Sequence, residues 1–211
     1  MLNEIESHPL LEDSNLEMKK GYESLEAMVD DAKKLDCDSI VNCTGLGASS
    51  ICNDSNLIGG RGVLLHYDRS CVRREYSDSL QDLEHDACIL TEEGDWGTRN
   101  EPCYLIPRGN VLVVGGSYLE EDYEEGLRDE ERKRLETNAW TMGVDTDKVD
   151  AMDEWVGWRP CRPDVRVQLD DSVDSSGIKV VHSYGAGGSG WTIFSGIAKE
   201  AVELLLEDKA E

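Results

Sequence analysis

Apolar residues recur at spacings of three and four in two segments of the chain, which is the pattern of one helix face. The pattern predicts an amphipathic helix within residues 22–35 and a longer helix over residues 193–205. Between them, residues 119–142 begin as an acidic loop and continue as a charged helix, which is broken near Gly143. The apolar positions of the first helix are Leu25, Met28, Val29, Ala32 and Leu35.

Short runs rich in Val, Ile and Leu, bounded by turn residues, predict strands between the helices, most of them antiparallel. A helix and strand, then many strands, then a final helix is the order of an α+β or mixed α/β body. Residues 1–20 show no sustained period and are predicted as a tail, which leaves residues 21–211 as one domain. The predicted strands are residues 39–43, 62–67, 87–91, 104–106, 111–114, 165–169 and 178–183.

Composition narrows the possible partners of this protein. The 211 residues include 45 acidic and 21 basic side chains, and a net charge of -24 makes nucleic acid an unsuitable partner. No run of apolar residues is long enough to span a membrane, and no secretion signal is visible. The 7 cysteines form no CxxC pair and are odd in number, which favours reduced thiols in an intracellular compartment.

Two runs of small residues, 44–50 and 185–190, allow a backbone to approach a ligand closely. Gly185, Gly187 and Gly190 satisfy the dinucleotide fingerprint GxGxxG, but the residues that follow are helical in pattern and leave no room for a second strand. We therefore reject a pyrophosphate site there. A helix beginning near Thr192 would still favour a ligand that becomes anionic, and the alternative is a plain tight turn into the last helix.

A second cluster, residues 155–163, places Arg159 and Arg162 among tryptophans, each directly before a proline that keeps the backbone extended. An extended chain sends the two arginines to opposite faces, so that one can point into a pocket while the other anchors the surface. An arginine poorly screened by water is a strong bidentate receptor for a carboxylate. The alternative is that Arg159 stacks on Trp158 for stability alone.

Four segments together resemble the D-amino-acid oxidase family, which is FAD-dependent, and they occur in the family's order. They are VNCTG at 41–45, YLIP at 104–107, GWRPCRP at 157–163 and VHSYGAGG at 181–188. The resemblance implies a mixed-sheet substrate domain joined to part of an FAD-binding fold. It also implies hydride transfer from a D-amino acid to the flavin, with oxygen as the final acceptor.

The resemblance also implies roles for individual residues. Arg159 and Tyr104 would bind the substrate carboxylate, and the Gly188 carbonyl would accept a hydrogen bond from the substrate amine. No side chain is obligatory as an acid or base, because the chemistry depends on orientation and electrostatics. The four histidines lack ligand spacing, so no metal is expected. The implied flavin contacts are Thr44, Gly187, Gly188, Ser189, Gly190, Trp191 and Thr192.

The chain departs from the family pattern at several positions. Asn100 stands where the family has a second tyrosine on a mobile lid, and Ala186 and Ser189 replace a common histidine and a common aromatic. Gly188 in place of serine weighs mildly against the D-aspartate branch. No GxGxxG segment precedes residue 22, so we expect the chain to correspond to the C-terminal part of the family.

Three hypotheses follow from the resemblance: an oxidase of neutral D-amino acids, a D-aspartate oxidase using Arg108 or Arg99 as an additional cation, and a non-catalytic fragment. The implied partners are a small D-amino acid and oxygen, with a homodimer possible. The C-terminal residues are not a Ser-Lys-Leu address, so we expect a cytoplasmic location, with the peroxisome as the alternative.

Overall fold

The computed structural model describes residues 21–73, 89–91, 102–172 and 177–207, in which the backbone forms a mixed α/β body. The helices are α1 (Leu25–Lys34), α2 (Ala48–Ile51), α3 (Asp129–Thr141) and α4 (Gly190–Leu206). The strands are β1 (Ser39–Asn42), β2 (Ile58–Asp68), β3 (Ile89–Thr91), β4 (Cys103–Arg108), β5 (Val111–Gly115), β6 (Leu119–Glu120), β7 (Asp153–Leu169) and β8 (Lys179–Ala186).

The strands form one twisted sheet in the order β1-β8-β7-β2-β5-β4-β3, with β6 paired to β2. β1 runs parallel to β8, whereas the pairs along the rest of the sheet are antiparallel. The parallel pair brings the carboxyl ends of β1 and β8 to the same edge, and both strands lead into short 3-10 turns there, Gly45–Gly47 and Gly187–Ser189. The mixed α/β fold expected from the sequence is confirmed.

The main hydrophobic core lies between one face of the sheet and α3. Alternate residues of β2, namely Val63, Leu65 and Tyr67, are buried on this face, because side chains along a strand point alternately to its two sides. Leu135 and Ala139 of α3 pack against them. This packing leaves the opposite face of β2 free to carry glycines and half-buried residues.

A smaller core holds α1 against β8. Leu25, Met28 and Val29 of α1 pack on Ile178 and Val180, as the helical spacing of the apolar positions predicts. The helix begins where the Ser24 hydroxyl oxygen accepts a hydrogen bond from the Ala27 amide at 3.2 Å, which is an ordinary N-cap.

The loop between β6 and α3 is fixed by a buried arginine. Arg61 of β2 is fully buried and donates hydrogen bonds to the carbonyls of Glu124 at 2.8 Å and Gly126 at 2.6 Å. Its guanidinium also pairs with both carboxylate oxygens of Glu131 at the start of α3, with Nη2 3.1 Å from Oε2. A buried charge needs such a full set of partners, because desolvation without them costs several kcal/mol.

The sequence placed most elements correctly but shortened the central strands. The strand predicted at residues 165–169 is only the end of β7, which begins at Asp153 and continues past Pro160. Pro163 lies within the register break between Cys161 and Arg166, where proline is tolerated in a strand. The predicted tail at residues 1–20 lies outside the described residues, so the domain boundary stays a prediction. Within the described ranges, no helix is long and apolar enough to cross a membrane.

Candidate functional site

One face of the sheet is lined with glycine where the central strands meet. Gly62 of β2 is paired with Gly157 of β7, and Gly60 is paired with Arg159. Further along, Gly115 of β5 lies opposite Tyr104 of β4. Directly paired residues point to the same side of a sheet, so Arg159 and Tyr104 lie on this face. The glycines beneath them present only backbone atoms.

Arg159 is half-buried and lies across the face of β2. A Cβ at Gly62 would be 2.8 Å from the Nη2 atom of Arg159, so only glycine leaves room for the guanidinium in this position. Nη1 donates a hydrogen bond to the Ser117 carbonyl oxygen at 3.2 Å. A Cβ at Gly188 would be 3.7 Å from the Arg159 Cδ atom, which places the arginine beside the glycine turn that follows β8.

Tyr104 is half-buried and covers the glycines at the end of β5. A Cβ at Gly116 would lie 2.8 Å from the Tyr104 hydroxyl, so this residue too must be glycine. The segment from Gly115 to Ser117 therefore contacts Tyr104 at one end and accepts the Arg159 hydrogen bond at the other. The structure thus brings the two residues expected to bind a carboxylate to the same short segment.

The turn from β8 into α4 contains the expected cofactor residues. Gly185 and Gly187 have φ values of +88° and +55°, which lie in the left-handed region that favours glycine. Gly188, Ser189, Trp191 and Thr192 are exposed on this turn. In the described part of the chain, no side-chain hydrogen bond caps α4 at Ser189, and the 3-10 turn Gly187–Ser189 leads directly into the helix.

Thr44 lies in the neighbouring loop, directly after β1, and its side chain is exposed. The Asn42 Oδ1 atom accepts hydrogen bonds from the Thr44 amide at 3.1 Å and from the Thr44 hydroxyl at 2.8 Å. Behind Asn42, a Cβ at Gly45 would meet Pro160 of β7 at 3.7 Å, which places the loop against the strand that carries Arg159. The turn after β8 contacts the same part of β7, because a Cβ at Gly187 would lie 3.3 Å from the Cys161 sulfur.

A buried polar network behind Thr44 was not predicted from the sequence as part of the site. His182 is fully buried in β8, with Nε2 2.6 Å from the Asp170 Oδ2 atom and Nδ1 3.1 Å from the Asn42 Nδ2 atom. Burial lowers the pKa of His182, and the hydrogen bond to Asp170 opposes this only partly. Burial would raise the pKa of Asp170, but hydrogen bonds from Ser172 and His182 lower it overall.

His182 is one of the four histidines that lack ligand spacing, and it is a packed residue of β8. The signal that could have found the network is a polar residue at matching positions of two apolar strands, since Asn42 and His182 are direct partners in the β1–β8 register. That signal depends on knowing the register, which the sequence alone does not provide.

Of the remaining predicted residues, Arg162 and Arg108 are among the described residues, and Arg99 and Asn100 are not. Arg162 is separated from Arg159 and lies instead beside Gly185, with its Nε 3.0 Å from the Asp54 carboxylate. Arg108 is exposed at the end of β4. Arg99 and Asn100 lie outside the described residues. In the part of the chain that the structure describes, no group of three or more His, Cys, Asp or Glu side chains could hold a metal ion.

The residues present fit the ring system of a flavin. The glycine turn from β8 into α4 lets a flat group approach the backbone closely, and the start of α4, which has no side-chain cap, favours negative charge that develops on that group. Gly187, Gly188, Ser189 and Gly190 would contact the ring from the turn, and Thr44 would contact it from the neighbouring loop.

Comparison with known proteins identifies the class. Residues 17–204 match the model of the FAD-dependent oxidoreductase family, which is also known as DAO. The chain therefore belongs to the FAD-dependent oxidoreductase family, whose cofactor is FAD.

Among curated relatives, the D-amino-acid oxidase of Dictyostelium discoideum is 32% identical over 174 residues, which cover 81% of this chain and 44% of that protein. D-aspartate oxidase 1 of Caenorhabditis elegans is 27% identical over 194 residues, covering 88% of this chain and 52% of that protein. The chain thus spans about half the length of the curated relatives it matches.

Solved structures support the fold. Glycine oxidase from Geobacillus kaustophilus superposes with a TM-score of 0.58 at 15% identity, covering 83% of this chain and 44% of that one. A glycerol-3-phosphate dehydrogenase from Bacillus halodurans, whose structure contains FAD, superposes with a TM-score of 0.50 at 16% identity, covering 83% of this chain and 34% of that one.

Proposed function

We propose that this protein takes part in the oxidative deamination of D-amino acids to 2-oxo acids, ammonia and hydrogen peroxide. The observation that carries the proposal is the convergence of Arg159 and Tyr104 on one glycine-lined face beside the turn after β8. Relatives named D-amino-acid oxidase and D-aspartate oxidase support the same class of substrate.

The residues would act mainly by binding and orienting the substrate. The Arg159 guanidinium would bind the substrate carboxylate through two parallel hydrogen bonds, and the Tyr104 hydroxyl would donate a further one. The Gly188 carbonyl would accept a hydrogen bond from the substrate amine, which fixes the Cα–H bond in one direction. FAD, when bound, supplies the chemistry by accepting a hydride from that carbon.

Holding the reacting carbon in place is the main contribution expected of such a site. Fixing a reactant in a productive geometry removes several kcal/mol from a reaction barrier, on the order of 7–11 kcal/mol in favourable cases. The half-buried position of Arg159 among glycines and strands limits its freedom, so that little rotamer entropy is lost when the carboxylate binds.

D-Aspartate is the second candidate substrate, and the position of Arg108 favours testing it. Arg108 shares the side of β4 on which Tyr104 lies, because the two residues are an even number apart in one strand. It is exposed and four residues along, roughly 13 Å from Tyr104 at about 3.3 Å per residue, so a direct contact with the same substrate requires its long side chain to extend. Glycine at position 188 weighs mildly against this candidate.

The first experiment is the visible absorption spectrum of the purified chain after incubation with excess FAD and removal of free flavin. Retained oxidised-flavin bands that bleach under anaerobic conditions with a D-amino acid support the proposal. A protein that retains no flavin contradicts activity of this chain and favours the third hypothesis, a non-catalytic fragment.

Substrate assignment is tested by comparing Arg159→Leu, Arg159→Lys and Arg108→Leu with D-alanine and D-aspartate. We expect Arg159→Leu to raise KM strongly for both substrates and Arg159→Lys to raise it less, because lysine keeps the charge but not the bidentate geometry. Arg108→Leu serves as the matched control and should leave the KM for D-alanine unchanged, whereas a higher KM for D-aspartate alone would support the second candidate. An unchanged KM in Arg159→Leu contradicts the carboxylate assignment. A cytoplasmic or peroxisomal location and a homodimer stay predictions.

A further inference from the structure

Asn42 is a buried amide whose four hydrogen-bonding positions are all occupied. Its Oδ1 atom accepts from the amide and the hydroxyl of Thr44, and its Nδ2 atom faces His182 Nδ1 at 3.1 Å and the Cys52 sulfur at 3.2 Å. The amide is fully buried between β1 and β8, so no water competes for these positions.

The direction of every hydrogen bond in the network follows from its two ends. At one end the backbone N–H of Thr44 can only donate, so the atom of Asn42 that faces it must be the carbonyl oxygen. At the other end the Asp170 carboxylate can only accept while ionised, so the Nε2 atom of His182 must carry the proton. Both requirements are met by a neutral His182 whose Nδ1 atom is unprotonated and accepts a hydrogen bond from the Asn42 amide.

The same logic fixes the hydroxyl of Thr44. Its Oγ1 atom is 2.8 Å from the Asn42 Oδ1 atom, and two oxygens at this distance need a proton between them. A carbonyl oxygen has no proton to give, so the hydroxyl proton of Thr44 is committed to Asn42. The exposed side of Oγ1 therefore offers lone pairs and no donor.

We propose that Asp170, His182 and Asn42 are positioning residues that make Thr44 an obligate hydrogen-bond acceptor for the ligand. The recognised ligand group would then be an N–H or O–H donor. This inference rests on the proposed function in that the ligand is taken to be a flavin, which offers such donors on its ring edge and on its ribityl chain. An amide flip at Asn42 would set its NH2 group against the Thr44 N–H, so the network holds the amide in the stated orientation.

The first test concerns the network alone and needs no flavin. We expect nitrogen-detected NMR of the 211-residue chain at neutral pH to show His182 as the neutral tautomer protonated on Nε2, with the His182→Gln variant identifying the signal. A tautomer protonated on Nδ1, or a doubly protonated ring, would overturn the assignment of directions. In Asn42→Asp the new carboxylate faces Nδ1, and we expect the ring to become doubly protonated while Thr44 keeps its acceptor partner.

The second test measures the affinity of the chain for flavins by fluorescence titration with riboflavin and with lumiflavin, which lacks the ribityl hydroxyls. Thr44→Val should weaken riboflavin binding by roughly 2- to 10-fold, the size expected for one hydrogen bond, whereas Thr44→Ser should retain it. Asn42→Asp should also retain it, and Asn42→Leu should behave like Thr44→Val. Thr137→Val is the matched control, because Thr137 is exposed on α3 and its hydroxyl donates to the Lys133 carbonyl of the same helix.

These outcomes distinguish a wrong assignment of the hydrogen-bond directions from a wrong assignment of the ligand. A penalty from Thr44→Val that disappears with lumiflavin places the donor on the ribityl chain, and a penalty that persists places it on the ring. Unchanged riboflavin affinity in Thr44→Val overturns the proposal. If the native sequence binds no flavin at all, the ligand assignment and the proposed function both fail, while the NMR experiment still decides whether the network has the stated directions.

Discussion

The guanidinium of Arg159 occupies the space that a side chain at Gly62 would fill. A Cβ at Gly62 would lie 2.8 Å from Nη2 and 2.9 Å from Cζ of Arg159, closer than real Cβ contacts come. The two residues are on neighbouring antiparallel strands, where Gly62 is paired with Gly157 and Gly60 with Arg159. The position of the proposed carboxylate receptor is therefore set by the absence of a side chain on the strand beside it.

Gly62→Ala tests this dependence. The added methyl group must displace the guanidinium, so we expect the hydrogen bond from Arg159 to Ser117 to break and the KM for a D-amino acid to rise, with a smaller change in kcat. The loss of one charge-assisted hydrogen bond corresponds to roughly 1.5–3 kcal/mol, or about 10- to 150-fold in affinity. Steady-state kinetics of the FAD-loaded protein measure both constants.

Gly196→Ala is the control for this substitution. Gly196 lies in α4, and among the described residues nothing comes within 4 Å of a Cβ placed there. Alanine at an exposed helix position should leave KM unchanged and stabilise the helix slightly, by up to about 1 kcal/mol. Equal KM values for Gly62→Ala and Gly196→Ala would mean that Arg159 does not bind the carboxylate from this position.

Tyr104→Phe tests the second proposed ligand of the carboxylate. Removing only the hydroxyl keeps the ring that covers Gly115 and Gly116, so the fold should be retained while KM rises by roughly 2- to 10-fold. Tyr123→Phe is the control, because the Tyr123 side chain is 59% exposed and its hydroxyl accepts from the Gly59 amide outside the site. A KM unaffected by Tyr104→Phe would remove Tyr104 from the proposed clamp.

The sequence predicted the parts of the site that depend on local pattern. The helix over residues 193–205 and the glycine turn before it follow from periodicity and from glycine spacing, and both are found in the structure. The positions of Gly62 under Arg159 and of Gly115 under Tyr104 could not be predicted, because they depend on strand register across the sheet. Register is a long-range property, and shifting it by one residue would move every side chain to the opposite face.

Glu131→Gln should strongly destabilise the fold. The substitution keeps an oxygen that can accept the Arg128 amide hydrogen bond at the start of α3, but it removes the charge that pairs with the fully buried Arg61. Breaking a buried pair costs about 3–5 kcal/mol, and the Asp122 carboxylate, 3.9 Å from the Arg61 Nε atom, should place the loss toward the lower end of that range. Urea denaturation followed by circular dichroism measures the loss of stability. Glu130→Gln is the control, because Glu130 is exposed in the same helical turn, and it should change stability by less than about 0.5 kcal/mol. Similar midpoints for both variants would contradict a dominant role for the buried pair.

Stability should fall as the pH is lowered below neutral, in two steps. Burial lowers the pKa of His182 below its usual value of 6.5, so the unfolded chain binds a proton more readily and stability begins to decline as pH falls through that value. Burial would raise the pKa of Glu131 above 4.5, but hydrogen bonds from Arg61 and Arg128 lower it overall. The stability that Glu131 contributes is therefore present above pH 4.5 and is lost as the pH falls below that value.

Denaturant midpoints measured between pH 8 and pH 3 check both steps. Glu131→Gln should remove part of the second step and leave the first, because glutamine does not titrate, and His182→Gln should remove the first step. A stability curve that is flat from pH 7 to pH 5 in the native sequence would contradict a neutral buried His182.

Trp191 and Phe194 at the start of α4 should bind a hydrophobic dye. Their side chains are 72% and 55% exposed, and their rings pack edge to face 5.7 Å apart, so they form a small apolar surface beside the proposed flavin turn. Replacing both with serine should reduce the fluorescence of a bound naphthalene sulfonate dye with little change in the free energy of unfolding.

Trp140→Ser is the control: its side chain is 43% exposed, and it packs under the Arg73 guanidinium at 4.2 Å, which already covers part of the ring. Dye fluorescence that falls equally in both variants would show that the apolar surface is not specific to α4.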